Sequence, residues 1–360
     1  MKIGIIGTRG IPARYGGFET CAEEISIRLS KTGHEITVYC RNDNSNPRQQ
    51  IYQGVHLTHL PYLKGKHLGT FTHTFLSVIH SLFHSYDCLF CFNVGIAPLL
   101  LIPKLFGQKI FLNVDGREWK RSKWSIIPKL YFKFCEWLAP KIAAKIITDS
   151  PVIKKYYNET YGLKTELITY GAYRGRSISP EKISKFNIKP FQYFLVISRL
   201  EPENNGKIII NAFSNITTNK KLLIIGTVQY RSDYLMQLLA VKKKGVIFHE
   251  PEYDKEVVRE LICNCYSYIH GNEIGGTSPA LIQAMAYGAC ILSIDVDINR
   301  LVGHNNMIYF KKSQKNLESK FNLVLSDPTL VESMRKKTRN YFKNSNQYSW
   351  DKIASNYESL

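Results

Sequence analysis

Between His270 and Ile294 the chain reads HGNEIGGTSPALIQAMAYGACILSI, and these residue types suit phosphate chemistry. An apolar run over 266–269 enters a polar loop holding two adjacent glycines, Gly275 and Gly276. Thr277, Ser278 and Pro279 follow before apolar residues resume at helical spacing. Proline fits the first turn of a helix because it lacks the N–H that would go unpaired there. The remaining free amides, with the Thr277 and Ser278 hydroxyls, make a cradle for a pyrophosphate at the positive helix end. A plain N-cap explains the serine and the proline but not the paired glycines. Gln283 stands one turn further in, placed to reach a neighbouring sugar hydroxyl.

Other strand ends carry further candidates, because ligands of open α/β sheets bind beyond the carboxyl ends of the strands. Arg199 follows the apolar run 194–198, where a guanidinium can grip a diphosphate with two parallel hydrogen bonds. A surface ion pair with Glu201 or Glu203 is the alternative. After the first strand come Thr8, Arg9 and Gly10, then Gly16 and Gly17 just before a helix start. Glycines there let backbone approach a phosphate, although a tight turn alone would also need them. A nicotinamide enzyme is disfavoured: G-x-G-x-x-G is absent, and Arg41 ends the second strand where an acid would hold the NAD ribose. Asp115 ends the strand KIFLNV and could touch an acceptor hydroxyl or the transferred sugar, against the plainer reading of an Asp-Gly surface turn. His73, His80 and His84 share a helix without the glutamate of a metalloprotease site and read as solvent-edge residues. Cys88 and Cys91 lie in a strand, where residues three apart face opposite sides and cannot share a metal. The eight cysteines read as buried free thiols.

The elements that must position these groups alternate strand and helix. Strands are expected at 2–7, 34–40, 55–59, 88–92, 109–114 and 145–148, with helices at 18–33, 70–84, 98–106 and 126–144. A stretch rich in Gly, Ser, Pro and Lys over 167–190 reads as a linker. The alternation restarts with strands at 194–198, 222–226, 246–250, 266–269 and 290–294. Two doubly wound α/β domains result, facing a cleft. The expected domains are 1–172 and 173–340, with a terminal helix at 341–360, capped by Ser349, packing back across both.

Length, 360 residues, favours two cores over one. A net charge of +19 implies an anionic partner: a phosphorylated small molecule, nucleic acid or an acidic lipid surface. No secretory signal is visible, and the apolar stretch 88–106 is broken by Asn93, Pro98, Pro103 and Lys104, so a cytoplasmic product is expected. The segment REWKRSKWSIIPKLYFKFCEWLAPKIAAK interleaves cations with aromatics. Such a face can lie on an anionic membrane, while single-stranded nucleic acid or a core helix with a solvated basic side would also use it.

Taken together, the segments IGTRGIPARYGGFET, NVDGREWKRSKW, SRLEPEN and IHGNEIGGTSP resemble the retaining GT-B glycosyltransferases of family 4, and within them the bacterial polysaccharide rhamnosyltransferases. The resemblance spans nearly the whole chain. It implies a dTDP-, UDP- or GDP-sugar donor held mainly by the second domain and a lipid-linked saccharide acceptor held by the first. Transfer would retain configuration without metal or cofactor, at the inner face of the membrane and without nucleic acid. By position it implies that Gly16 and Gly17 lie near the donor phosphates and that Arg199 is the phosphate arginine. Gly276, Thr277 and Ser278 match the phosphate-cradling helix start. Tyr253 lies in the nucleobase loop, and His270 and Glu273 at the sugar-facing strand end. The catalytic set is then Arg199, Asp115 and Glu273, with Gly275 and Gln283 among the donor contacts. Three departures stand out: Gln283 replaces the ribose-holding glutamate, Asn204 replaces a lysine, and Gly275 stands where a second glutamate is common. A catalytically weakened nucleotide-binding or scaffold protein is the alternative they raise.

Overall fold

Short apolar runs bounded by turn residues become buried parallel strands throughout the computed structural model, which describes residues 1–14, 16–42, 49–65, 68–226, 233–241 and 243–360. Tyr15 of the opening segment lies outside these residues. The chain divides into two units, Met1–Gly171 with Ser349–Leu360, and Ala172–Tyr348.

The first unit runs β1 (Lys2–Ile6), α1 (Gly17–Lys31), β2 (Glu35–Arg41), β3 (Ile51–Tyr52), β4 (Val55–Leu60), α2 (Leu68–Ser81), β5 (Cys88–Phe92), α3 (Ala97–Leu105), β6 (Ile110–Asn113), α4 (Ile126–Ile142), β7 (Lys145–Thr148), α5 (Pro151–Tyr161) and β8 (Glu166–Leu167). Its sheet order is β3-β4-β2-β1-β5-β6-β7-β8, parallel except for the β3–β4 hairpin. The second unit runs β9 (Tyr193–Ile197), α6 (Gly206–Ser214), β10 (Lys221–Ile225), α7 (Asp233–Leu239), β11 (Val246–His249), α8 (Lys255–Cys263), β12 (Ser267–His270), α9 (Pro279–Ala286), β13 (Ile291–Ile294), α10 (Asp297–Gly303), β14 (Ile308–Phe310), α11 (Gln314–Ser326) and α12 (Pro328–Asn344). Its six strands, ordered β11-β10-β9-β12-β13-β14, are all parallel. Both sheets are Rossmann-like. Strand order reverses between β1 and β5 in one and between β9 and β12 in the other, and these reversals are where crevices open.

Several expectations change here. The stretch read as a linker is packed: a 3-10 turn over Pro180–Phe186 buries Ile183 and Phe186, and Ile188 is buried beyond it. The 340/341 boundary falls inside α12, and the second unit continues to Tyr348. His73 is buried rather than at the solvent edge, and His80 meets the Tyr39 hydroxyl at 3.1 Å; of the three only His84 is exposed. All eight cysteines are buried and free.

The terminal helix α13 (Trp350–Glu358) counts with the first unit, where it packs on α1. Ser349 occupies its N-cap position but makes no side-chain capping bond. Trp350 lies over Gly171, where a Cβ would come within 2.4 Å of the indole, so only glycine fits. Tyr357 is fully buried and its hydroxyl accepts from Asn113 Nδ2 at 2.8 Å. Arg28 reaches Asp351 at 2.7 Å, at the rim of the same contact.

The loop after β6 is organised by one carboxylate. Glu118 accepts from Arg121 Nε at 2.6 Å and Trp124 Nε1 at 3.1 Å, with Lys123 Nζ at 3.5 Å. Burial alone would raise its carboxyl, but the charges and hydrogen bonds of Arg121, Lys123 and Trp124 outweigh that and bring it to about 2. A folded value below the unfolded one stabilises above the unfolded value and loses that contribution as pH falls toward the folded one. Glu118→Gln is therefore expected to flatten the fall in melting temperature between pH 4.5 and about 2, measured by thermal unfolding across pH. An unchanged acid profile would place the loop's stability elsewhere.

Candidate site at the carboxyl end of the second sheet

The reversal between β9 and β12 brings two loops together. Asn205 Nδ2 donates to the Gly271 carbonyl at 2.9 Å, and Glu273 N donates to the Glu203 carbonyl at 3.1 Å. Asn299 Nδ2 anchors the same loop at the Asn272 carbonyl, 3.0 Å. Gly271 makes this approach possible, since a Cβ there would lie 2.2 Å from the Asn204 oxygen. Asn204 is buried under the stitch, so no cation stands at that position. Arg199, just past the end of β9, shares a recess with Ser198, Glu201, Asn204, Gly206 and Leu238. Its Nη1 stands 3.7 Å from Glu201, looser than a hydrogen bond, and about a third of its side chain (35%) is exposed.

At the end of β12, His270 is 4% exposed and its Nε2 has no hydrogen-bond partner among the described residues. Burial pushes the imidazole down to about 4, so it is neutral at physiological pH. Its ring stacks beside Tyr268, whose hydroxyl donates to the Ile197 carbonyl at 3.1 Å. A buried polar atom without a partner costs stability, and such groups gather where a ligand completes them.

The following loop turns at Gly275, whose φ of +131° favours glycine, and buries Thr277. Ser278 is the N-cap of α9 with Pro279 in the first turn, yet its hydroxyl makes no capping bond. Leu281 N and Ile282 N both bond to the Ser278 carbonyl, leaving the loop side of the helix start to other acceptors. Gly276 lies half-buried between these positions.

Gln283, expected to reach a sugar hydroxyl, bonds to the Tyr173 backbone. Its Oε1 accepts from Tyr173 N at 3.0 Å and its Nε2 donates to Tyr173 O at 2.7 Å. An amide can satisfy both backbone groups of one residue; a carboxylate could not donate to the carbonyl. The replacement of the expected glutamate thus has a structural cause, since Gln283 fastens the first residues of the second unit to α9. Glu273 is likewise engaged, 2.5 Å from Lys312 Nζ. Tyr253 is half-exposed in the loop between β11 and α8, where Asp254 caps α8 through Glu256 N at 2.8 Å and Glu252 holds Lys185 at 2.5 Å. His249, the last residue of β11, packs edge-on to Phe186.

In the first unit, Gly16 is extended at the N-cap of α1, ahead of Gly17. The conformational demand falls instead on Gly7 and Gly10, with φ of +94° and +110°. A Cβ at Gly7 would lie 2.2 Å from the Phe92 carbonyl oxygen. Two buried carboxylates of α1 hold the loop: Glu19 accepts from Arg9 N at 3.0 Å and Glu23 from Ala13 N at 2.5 Å. Asp115 is half-buried past β6 with φ of +56°, its N–H donating to Asn113 Oδ1 at 3.1 Å. Asn93, past β5 at the strand-order reversal, escaped the sequence reading. Its φ is +84° and its side chain accepts from Gly95 N at 2.9 Å. The Asn-x-Gly spacing was the available signal.

Residues 179–341 match the family described as "Glycosyl transferases group 1", which makes the second unit a domain of that family. Residues 1–64 and 100–173 match a family described as "Domain of unknown function (DUF1972)". No curated protein matches the chain. In fold it is similar to sucrose-phosphate synthase from Thermosynechococcus elongatus, at TM-score 0.82 and 15% identity over 100% of this chain and 98% of that one. It is also similar to Anabaena Alr3699/HepE, solved with UDP and glucose, at TM-score 0.80 and 16% identity over 100% and 98%. WaaG, a glycosyltransferase involved in lipopolysaccharide biosynthesis, gives TM-score 0.75 and 16% identity over 99% of each chain. The fold is therefore that of the GT-B glycosyltransferases.

Proposed function

We propose that this protein is a retaining, metal-independent glycosyltransferase that moves rhamnose or a related hexose from a nucleoside diphosphate to a lipid-linked glycan at the inner membrane face. The observation that carries this is one end of the second sheet, where Arg199 follows β9 and the neutral His270 imidazole, its Nε2 without a partner among the described residues, ends the neighbouring β12 ahead of α9. A likeness to a protein solved with UDP-glucose supports a nucleoside diphosphate sugar here.

In this reading the C1–O bond to the diphosphate breaks and the bond from C1 to the acceptor oxygen forms. Arg199 and the Gly275–Ser278 amides and hydroxyls stabilise charge on the departing diphosphate. His270 hydrogen-bonds a sugar hydroxyl without adding charge, and Tyr253 lies against the base. In the first unit, Gly16 and Gly17 serve the donor phosphates and Asp115 the acceptor hydroxyl or the transferred sugar. Glu273, steadied by Lys312, shapes the sugar end of the pocket, while Gln283 positions the backbone around Tyr173 instead of holding the ribose.

Thermal-shift titration with UDP, GDP and dTDP tests donor binding. A cognate nucleotide at about 100 times its Kd is expected to stabilise by roughly 2.7 kcal/mol, a rise of several degrees. NMR of the product made from the matching sugar nucleotide then reads the anomeric outcome. The lack of a cation at residue 204 favours one further reading, a binding protein with weakened catalysis. Nucleotide binding without transfer to any lipid-linked acceptor would select it, and no shift with any nucleotide would overturn both.

A further inference from the structure

The amino end of the second sheet carries a recess that the donor chemistry leaves unused. Thr338 of α12 donates to the Ala289 carbonyl at 3.1 Å, and Arg339 lies against Gly288, both partners standing shortly before β13. The last turns of α12 therefore lie at the end of the sheet opposite to Arg199 and His270, which stand at the carboxyl ends of β9 and β12.

α12 buries Met334, Arg335, Thr338 and Phe342 on one side. A second stripe, Lys337, Asn340, Tyr341 and Asn344, recurs at i, i+3, i+4 and i+7, so these four side chains share one face. That spacing ordinarily turns apolar residues toward a core. Here it turns an ammonium, a phenol and two amides toward a recess of about 480 Å³, which Asn306 and Ser345 also line. Such a volume falls within the range of about 300–1,000 Å³ that small-molecule sites occupy.

The turn before β14 is fixed without a ligand. The Tyr309 hydroxyl donates to the His304 carbonyl at 2.9 Å, and Asn306 N donates to the Gly303 carbonyl at 2.8 Å. Gly303 has no room for a side chain, since a Cβ there would lie 2.5 Å from the Met307 sulfur. The polar tips that line the recess are in the opposite condition. The side chains of Asn306, Lys337, Asn340 and Asn344 make no hydrogen bond or ion pair with the protein among the described residues. Three amides thus offer uncommitted donors and acceptors to one space whose lining holds no carboxylate.

Each amide donates to one hydroxyl and accepts from the next, the pairing that a vicinal diol presents. The half-buried Tyr341 adds an aromatic face for the apolar side of a ring. An apolar metabolite would cover the amides and leave them without partners. A nucleic-acid strand needs several cations along its phosphates, and the lining holds Lys337 alone. We infer that the recess at the end of α12 is a second glycan-binding site, which takes sugar rings of an oligosaccharide away from the transfer chemistry. Lys337 suits a neutral ring or one with an acidic substituent. A weak second hold on the glycan raises the local concentration of its chain at the enzyme. The inference rests on the proposed function only for that purpose.

The test is binding of the full chain to an array of bacterial surface oligosaccharides, followed by saturation-transfer NMR with the strongest binder. The parent is expected to bind. Asn340→Ala with Asn344→Ala is expected to weaken binding about tenfold or more, through the loss of two amide contacts. Tyr341→Ala is expected to weaken it at least as much, through the loss of the ring face. Both asparagines are exposed, and an unchanged melting temperature and nucleotide thermal shift in the double variant show that fold and donor site are intact. No binding by the parent, displacement by oligonucleotides, or binding that survives the double variant would each overturn the inference. In the last case the glycan sits on the acceptor side of the transfer reaction. A nucleotide thermal shift beside any of these leaves the proposed function standing. Glycan binding that falls in the variants, from a protein that no nucleotide stabilises, would instead sink the proposed function and keep the site.

Discussion

Arg199→Ala should lower kcat by about two to three orders of magnitude while leaving the fold nearly as stable as before. Removing one preorganised donor from a developing negative charge costs about that much in a water-poor site. The stability cost is small because the guanidinium is partly exposed and 3.7 Å from Glu201, and exposed pairs contribute roughly 0–1 kcal/mol. Arg199→Lys should recover only part of the rate, since an ammonium keeps the charge but not the planar two-pronged fork. Steady-state kinetics beside thermal unfolding separate the cases. If rate and melting temperature fell together, Arg199 would be a structural residue and the leaving-group role would be lost.

Deleting residues 349–360 should cost the first unit its cooperative transition. Trp350, Ile353 and Tyr357 are each buried to within 4% exposure, and truncating a buried aromatic alone costs about 3–5 kcal/mol. Loss of all three rivals the total of about 5–15 kcal/mol that holds a domain folded. The deletion also strips the acceptor from Asn113 Nδ2 and opens the α1 surface around Cys21. The helix counts with the first unit, so the second should keep its melting transition and its nucleotide response. The milder Tyr357→Phe leaves one buried amide unsatisfied and should cost about 1–3 kcal/mol. Calorimetry that showed both transitions intact in the deletion would contradict the packing.

Much of this molecule could be read from its residues. Fully buried parallel strands carry near-continuous apolar runs, so FLVIS and CILSI announced themselves, and the polar loops after them located the strand ends. What escaped did so for physical reasons. Helix α5 buries only Ile153 and Tyr157, so its apolar stripe is thin; its marks were Ser150, which caps Ile153 N, and Gly162 in the left-handed conformation. The stretch after β8 has the composition of a linker but hides Ile183 and Phe186, since composition reports polarity and not which few side chains turn inward. Gln283 was placed on the right helix turn without its bonds to the Tyr173 backbone, because a single sequence shows spacing but not that this backbone comes within its reach. The terminal helix was legible as amphipathic; that it completes the first unit was not, because its contact with α1 spans more than three hundred residues.

The chain leaves its first unit at Gly171 and supplies the last helix of that unit only from Ser349 onward. A ribosome adding about 5–20 residues per second needs some ten to thirty-five seconds to make the intervening part. Throughout that interval the nascent first unit lacks the helix that packs on α1, and Cys21 waits for the Tyr357 hydroxyl that it meets in the finished fold. The closing piece of the first unit is therefore made only after the whole second unit, and a message truncated between residues 171 and 349 yields a product whose first unit stays open to chaperones and proteases.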